Sequence, residues 1–297
     1  MDGMLLVDKP SGWTSHDAVN FIRRSLGEKR VGHTGTLDPA ATGLLIVLVG
    51  KASRLARYFE DDHKAYLATM SLGAETDTQD ATGQVIRECP VPEIDAETLQ
   101  RALGQFTGEI TQTPPMYSAL KSGGTPLYKL ARKGVEVEVT PRRVTISSLR
   151  LVSFAGADIG FETVCSKGTY VRTLCRDIAE ALGTCGRLET LRRTAVGAYR
   201  IEDALDISHK PGSDEIAGHV TPLSDMLPWL PSAVLSGDAA RGVANGISPL
   251  PDGLLSFPYD TPAGGAVRVT GEDGDLLAMA LATGIADAPL KLQVVLI

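Results

Sequence analysis

The sequence predicts an α+β fold: a large body with a mixed, largely antiparallel central sheet and flanking helices, then a small β-barrel-like domain. Three observations carry this. Strand-length apolar or alternating segments and amphipathic helices are interleaved through the first 200 residues. Hairpin-like links join the strands, unlike the regular strand–helix alternation of a doubly wound sheet. Around 203–231 Pro and Gly become frequent and basic residues nearly vanish, which divides the chain into 1–231 and 232–297. In the second part, short β-like segments at 267–269, 276–282 and 292–297 are separated by Gly and Pro, a barrel pattern rather than a helical one.

Along the chain, residues 4–7 read as a buried strand and Pro10-Ser11-Gly12 as a turn. Thr14, with Asp17 three residues on, makes a capping box. Ala18, Phe21, Ile22, Ser25 and Leu26 share one helical face, and Gly27 stops the helix. The polar loop 32–43 leads into an apolar strand at 44–49, then a short helix through Phe59. Residues 66–72 alternate as a strand, and Asp95 caps a helix through Phe106. Residues 107–125, rich in Thr, Pro, Gly and Ser, read as one long loop, of a length that usually carries function. Pro126 starts a basic helix ending near Gly134, and strands follow at 135–139, 143–154 and 159–165. Val171, Leu174, Cys175, Ile178, Ala179 and Leu182 set one face of a helix on the core; Gly183 ends it. Residues 188–193 read as a further short helix.

The chain of 297 residues is 43% hydrophobic and 22% charged, which suits a folded domain with a substantial core. No run reaches the roughly 18 apolar residues of a membrane helix. The N-terminus lacks the basic and long apolar regions of a signal peptide, so the expected location is the cytoplasm. Cys89, Cys165, Cys175 and Cys185 contain no C-x-x-C pair, and the five histidines form no cluster. The expectation is four reduced thiols and no metal. The net charge of −7 argues against a simple nucleic-acid binder, but it is unevenly spread. Residues 1–100 carry 10 basic and 15 acidic side chains, 101–200 carry 15 and 8, and 201–297 carry 4 and 13. A basic middle between acidic ends gives a polyanion somewhere to bind.

Two familiar motifs fail. Gly50-Lys51-Ala52-Ser53 follows an apolar strand, but a P-loop needs Gly where Leu45 stands and Ser or Thr where Ala52 stands. Ser118 and Lys121 match S-x-x-K, but no S-D-N or K-T-G follows. These failures remove the case for a small-molecule enzyme. The segment Gly32-His33-Thr34-Gly35-Thr36-Leu37-Asp38-Pro39-Ala40-Ala41-Thr42-Gly43 is different: three glycines, one acid, one histidine and no Lys or Arg, with Asp38-Pro39 as a turn initiator.

With its neighbours, that segment resembles the TruB family of tRNA pseudouridine synthases. The neighbours are Leu5-Leu6-Val7-Asp8-Lys9-Pro10-Ser11-Gly12, Lys64-Ala65-Tyr66, and Gln112-Thr113-Pro114-Pro115-Met116-Tyr117-Ser118-Ala119-Leu120-Lys121. Ser166-Lys167-Gly168-Thr169-Tyr170-Val171-Arg172-Thr173-Leu174 and Leu191-Arg192-Arg193-Thr194-Ala195-Val196-Gly197 complete the set, in the family's order, over residues 5 to about 200. The tail resembles the PUA domain that often ends these proteins, with 267–269 and 276–278 as its clearest strands. The resemblance implies a pseudouridine synthase catalytic domain that isomerises uridine 55 in the T loop of tRNA, without cofactor or metal. It implies a tRNA partner, no membrane and no required protein partner; one active site per chain makes a monomer sufficient.

The same resemblance assigns roles. Asp38 matches the catalytic aspartate, able to form and leave a covalent intermediate. Arg172 matches the arginine paired with it, and Tyr66 the ring that stacks on the target uracil and offers a proton acceptor. Tyr170 and Leu191 match pocket walls, and Lys9 and Pro10 a supporting block. His33 matches the histidine that fills the T loop where the flipped base was. Lys121, Lys129, Arg132, Lys133, Arg142 and Arg143 lie in or beside an insertion of about 107–140 that closes over RNA, where they would meet phosphates. The final 97 residues are acidic, so deletion from about 232 is expected to lower affinity only modestly. A guide-RNA-dependent (dyskerin-like) catalytic subunit and a tRNA-folding chaperone are the competing readings. Whether Asp38 attacks C1′ or C6, or removes the C2′ proton, stays open at this level.

Overall fold

In the computed structural model, which describes residues 1–59, 63–118, 120–135 and 137–297, the chain builds one large and one small sheet. The strands of the first half are β1 (Gly3–Lys9), β2 (Val31–His33), β3 (Thr42–Val49), β4 (Lys64–Leu72), β5 (Ala74–Thr76), β6 (Val85–Glu88), β7 (Gly108–Gln112), β8 (Lys121–Ser122) and β9 (Thr125–Pro126). The body continues with β10 (Arg142–Ala155), β11 (Asp158–Cys165), β12 (Gly186–Val196), β13 (Tyr199–Arg200), β14 (Leu205–Asp206) and β15 (Thr221–Pro222). The tail adds β16 (Ser232–Leu235), β17 (Leu254–Ser256), β18 (Ala266–Thr270), β19 (Leu276–Ala282) and β20 (Leu290–Val295). Helices are α1 (Ser15–Leu26), α2 (Ala96–Gly104), α3 (Leu127–Ala131), α4 (Val171–Ala181), α5 (Ser213–Gly218) and α6 (Gly237–Ala244). None of them is long and apolar enough to cross a membrane.

The large sheet runs β14-β1-β3-β12-β4-β11-β10-β7, with β2, β13 and β15 beside it. Among the described residues only β1–β14 and β3–β12 pair in parallel in it, so it is mixed and largely antiparallel, as the hairpin-like links predict. The apolar run of β3 is explained by burial on both faces. Leu45, Val47 and Val49 face a core with Ala18, Val19 and Ile22 of α1. Leu44, Ile46 and Leu48 face another, which holds Leu276 and Met279 of β19, Val294 of β20 and Leu296. Each such side chain contributes about 1.5–3 kcal/mol. The tail sheet, ordered β17-β16-β18-β19-β20 with β17 and β20 at its edges, therefore shares a core with the body. Deleting residues 232–297 would uncover that core and cost stability, whatever it does to affinity.

Local signals hold where they are strongest. The Thr14–Asp17 capping box forms, and Gly27 closes α1 in the left-handed region at φ 64°. Several expectations are corrected. Residues 188–193 are not helical but lie inside β12, because this Leu-, Glu- and Arg-rich stretch pairs with β4 from Gly186↔Leu72 to Val196↔Lys64 and tertiary pairing overrides helix propensity. The long loop expected over 107–125 contains β7, β8 and the start of β9. The basic helix is only α3. Of the strand expected at 135–139, residue 136 lies outside the described residues and the others are irregular; Ala119 is also outside them. The segment 50–59 coils as a 3₁₀-helix.

The thiol expectation is also corrected. Cys89 and Cys185 form a disulfide across a sequence separation of 96 residues, and only Cys165 and Cys175 are free and buried. No spacing rule could find this pair. The fold brings the end of β6 against the start of β12, where Gly73 N–H bonds Cys185 O and Cys89 N–H bonds Gly73 O.

Candidate active site

The site is built on the loop between β2 and β3, which carries Asp38. Its shape is set by groups distant in sequence. The Ser15 hydroxyl, at the start of α1, donates to Leu37 O (3.1 Å) and accepts from Leu37 N–H (2.8 Å). The Gly12 N–H bonds Pro39 O at 2.9 Å. Lys9, fully buried, points its ammonium at Trp13 O (2.6 Å), Pro10 O (3.0 Å) and Pro39 O (3.4 Å). Burial lowers its pKa to about 8, against the attraction of Asp38. Lys9 and Pro10 therefore bracket the turn that grips the residue after Asp38.

Asp38 meets Arg172 edge-on. The Arg172 Nε lies 3.0 Å from Asp38 Oδ2, and Nη2 lies 3.4 Å from Oδ1. Arg172 stands in the first turn of α4 and is 5% exposed, whereas the Asp38 side chain keeps 40% of its surface open. Backbone carbonyls hold the rest of the guanidinium. Nη1 donates to Thr78 O (3.0 Å) and stands 3.9 Å from Asp80, and Nη2 donates to Tyr117 O (2.9 Å). Such two-point pairing fixes direction as well as charge. Burial pushes the Asp38 carboxyl above the usual carboxylate value; the Arg172 charge opposes this, and Asp80 reinforces it.

A cleft opens on the exposed side of this pair, lined by Asp38, Ala40, Ala41, Asp80, Ala81, Thr82, Leu188, Glu189 and Leu191. Leu191 of β12 thus lines the same cleft as Asp38. A larger surface hollow, lined by Trp13, Asp17, Asn20, Arg23 and Arg24, lies along α1 and holds none of the expected site residues.

Tyr66 lies on β4 directly across the ladder from Arg193 of β12 and is 9% exposed. Burial raises its phenol pKa, and the adjacent Arg193 charge opposes the rise. His33 ends β2; its Nδ1 accepts from Gly35 N–H at 3.3 Å, so the ring proton is on Nε2. Burial, then Arg193 and His16, lower its pKa and favour the neutral ring. Tyr170 precedes α4; Gln112 of β7 holds its backbone N–H (3.1 Å) and carbonyl (3.3 Å).

The insertion residues divide. Lys121, Lys129, Arg132 and Lys133 are exposed on the β8–β9–α3 segment. Arg142 instead lies over the Tyr170 ring, 4.8 Å from its centre, and Arg143 pairs with Glu109 at 3.1 Å. Sequence reading missed Asp80, Thr78, Gln112, Ser15 and Arg193 as site-building groups. Gln112 and Arg193 lay inside quoted blocks; the others carried no signal.

Gly43 shows how closely the parts are packed. Its φ is +103°, and a Cβ there would stand 2.3 Å from Arg193 O, so only glycine lets β3 lie beside β12 at the end of the Asp38 loop.

Comparisons with known proteins give the family. Residues 23–171 match the model of the TruB family pseudouridylate synthase N-terminal domain, and 172–209 that of the tRNA pseudouridylate synthase B C-terminal domain. A tRNA pseudouridine synthase B from Burkholderia mallei is 44% identical over 99% of this chain and 97% of its own. One from Syntrophotalea carbinolica is 40% identical over 95% and 92%, and one from Opitutus terrae 49% over 70% and 86%. The solved structure of an H/ACA RNP bound to a substrate RNA containing 2′-deoxyuridine shares the fold, with a TM-score of 0.76 at 22% identity over 99% of this chain and 85% of that one. By family models and full-length relatives alike, the chain belongs to the TruB family of pseudouridylate synthases.

Proposed function

We propose that this chain isomerises uridine 55 in the T loop of tRNA to pseudouridine, with Asp38 as nucleophile. The observation that carries the reading is the Asp38 carboxylate, held by buried Arg172 yet open to a cleft. Relatives that match nearly the whole chain are tRNA pseudouridine synthases. The reaction breaks C1′–N1 and makes C1′–C5. It is redox-neutral, so the side chains need supply only a nucleophile, proton transfer and orientation.

Asp38 must be ionised to attack. Desolvation works against this, and Arg172 restores it while fixing which lone pair faces the cleft. The target base has to leave its stack, at a cost of a few kcal/mol. Tyr66 offers a ring to lie on it, Leu191 and Tyr170 form walls, and neutral His33 occupies the gap left in the T loop. Lys121, Lys129, Arg132 and Lys133 meet phosphates and position the RNA without reading sequence. In this reading residues 1–231 are the catalytic domain and 232–297 a PUA-like domain. The protein works as a cytoplasmic monomer, with no guide or protein partner.

The test is tritium release from a uracil-5-tritiated tRNA transcript, with wild type beside Asp38→Asn and no guide RNA. C5 loses its hydrogen only when C1′–C5 forms. Release by wild type alone, with binding kept in the variant, is expected. No release from bound tRNA with wild type would move the assignment to a guide-dependent enzyme or an RNA chaperone.

A further inference from the structure

We infer that Arg193 is a positioning residue that sets the Tyr66 ring at a fixed distance from the Asp38 carboxylate. Arg193 is 2% exposed, one of the largest fully buried side chains of the molecule. It makes no ion pair with a carboxylate among the described residues. A buried guanidinium without an acid partner is costly, so what its donors do instead is informative. Nε donates to Leu44 O at 2.7 Å and Nη2 to Gly35 O at 3.1 Å. Gly35 and Leu44 flank Asp38 on its two sides, so one side chain ties both arms of the loop. Tyr66 is the direct partner of Arg193 across the β4–β12 ladder, so the same buried guanidinium stands beside its phenol.

Three elements therefore meet at Arg193: the loop before Asp38, the strand after it, and the strand of the stacking ring. A uracil lying on Tyr66 is presented to Asp38 at a separation that this cross-tie fixes. The main-chain constraint agrees, since β3 approaches Arg193 so closely that Gly43 admits no Cβ. The inference rests on the reading of Tyr66 as the ring beneath the target base.

The experiment measures single-turnover tritium release and tRNA Kd for Arg193→Lys, Arg193→Met, Tyr66→Phe and the double variant Arg193→Lys with Tyr66→Phe. Lysine keeps the buried cation but cannot reach both carbonyls. Its rate is expected to fall about tenfold and that of Arg193→Met about 100-fold, the scale of an ångström of misplacement, with Kd unchanged. The double variant should be no slower than Tyr66→Phe alone, because Arg193 then has no phenol to set. A wild-type rate in Arg193→Lys, additive losses in the double variant, or a loss confined to Kd would each overturn the proposal. If Arg193→Met does not fold, the lysine series decides alone. Absence of release from wild type would instead sink the functional reading, so the two failures are separable.

Discussion

The Asp38 loop and the insertion after β7 are both rich in Gly, Pro and Thr, yet they are held very differently. The loop is tied from below at nearly every residue: Gly35 by Arg193, Leu37 by Ser15, Asp38 by Arg172, and Pro39 by Lys9 and Gly12. The insertion bonds mainly to itself, as in Leu127 N–H to Leu120 O and Tyr128 N–H to Ser118 O, and reaches the site through the Tyr117 carbonyl on Arg172. Composition makes both segments loops. Buried donors placed elsewhere in the chain decide which of them is rigid.

The sharpest way to break that contrast is to cut the loop loose. Lys9→Met leaves three carbonyls without their donor, and turnover is expected to fall about 100-fold with tRNA affinity kept. Wild-type turnover in a folded Lys9→Met would show that the loop does not depend on this tie. Changing Lys121, Lys129, Arg132 and Lys133 together to Gln tests the other segment. Affinity should drop, and the slope of log K against log salt should flatten by about 3, near 0.7–0.9 per phosphate contact. Turnover at saturating RNA should stay unchanged; an equally steep slope would remove the insertion from the RNA interface.

A smaller effect separates Asp38 from Lys9 by pH. Turnover should rise with pH as Asp38 ionises, on a limb above the usual carboxylate value, and fall as Lys9 deprotonates near 8. Stability should move the other way in that second window. Lys9 binds its proton more weakly folded than unfolded, so the unfolded chain holds more protons between about 8 and 10.5, and stability rises with pH there. Both trends should vanish in Lys9→Met; thermal melts and rates over this range check them. Least of all, Ser15→Ala should cost about 1–3 kcal/mol of stability from the two unmet Leu37 groups, read as a lower Tm without a change in the salt slope.

What was legible in the sequence was short-range. The Thr14–Asp17 cap, the Gly27 stop and the two-sided burial of residues 44–49 are each written in adjacent residues. Asp38 and Arg172 stood out only through the motifs around them, since 134 residues separate them. Leu188–Arg193 was misread because helix-favouring side chains sit in a strand fixed by its neighbours β4 and β3. Arg193 was hidden for the same reason: its role depends on a ladder register that no local pattern encodes. The Cys89–Cys185 bond likewise needs two chain ends of a fold to be placed before it can be seen.

Met4 and Leu296 belong to one apolar core, although they stand near opposite ends of the sequence. During synthesis, that core cannot close until residue 296 has left the ribosome. At about 5–20 residues per second, β1 and β3 then wait with one face uncovered while the later strands emerge. A message cut short anywhere in the last sheet would yield not a smaller enzyme but a chain with an open hydrophobic face, a substrate for chaperones and proteases.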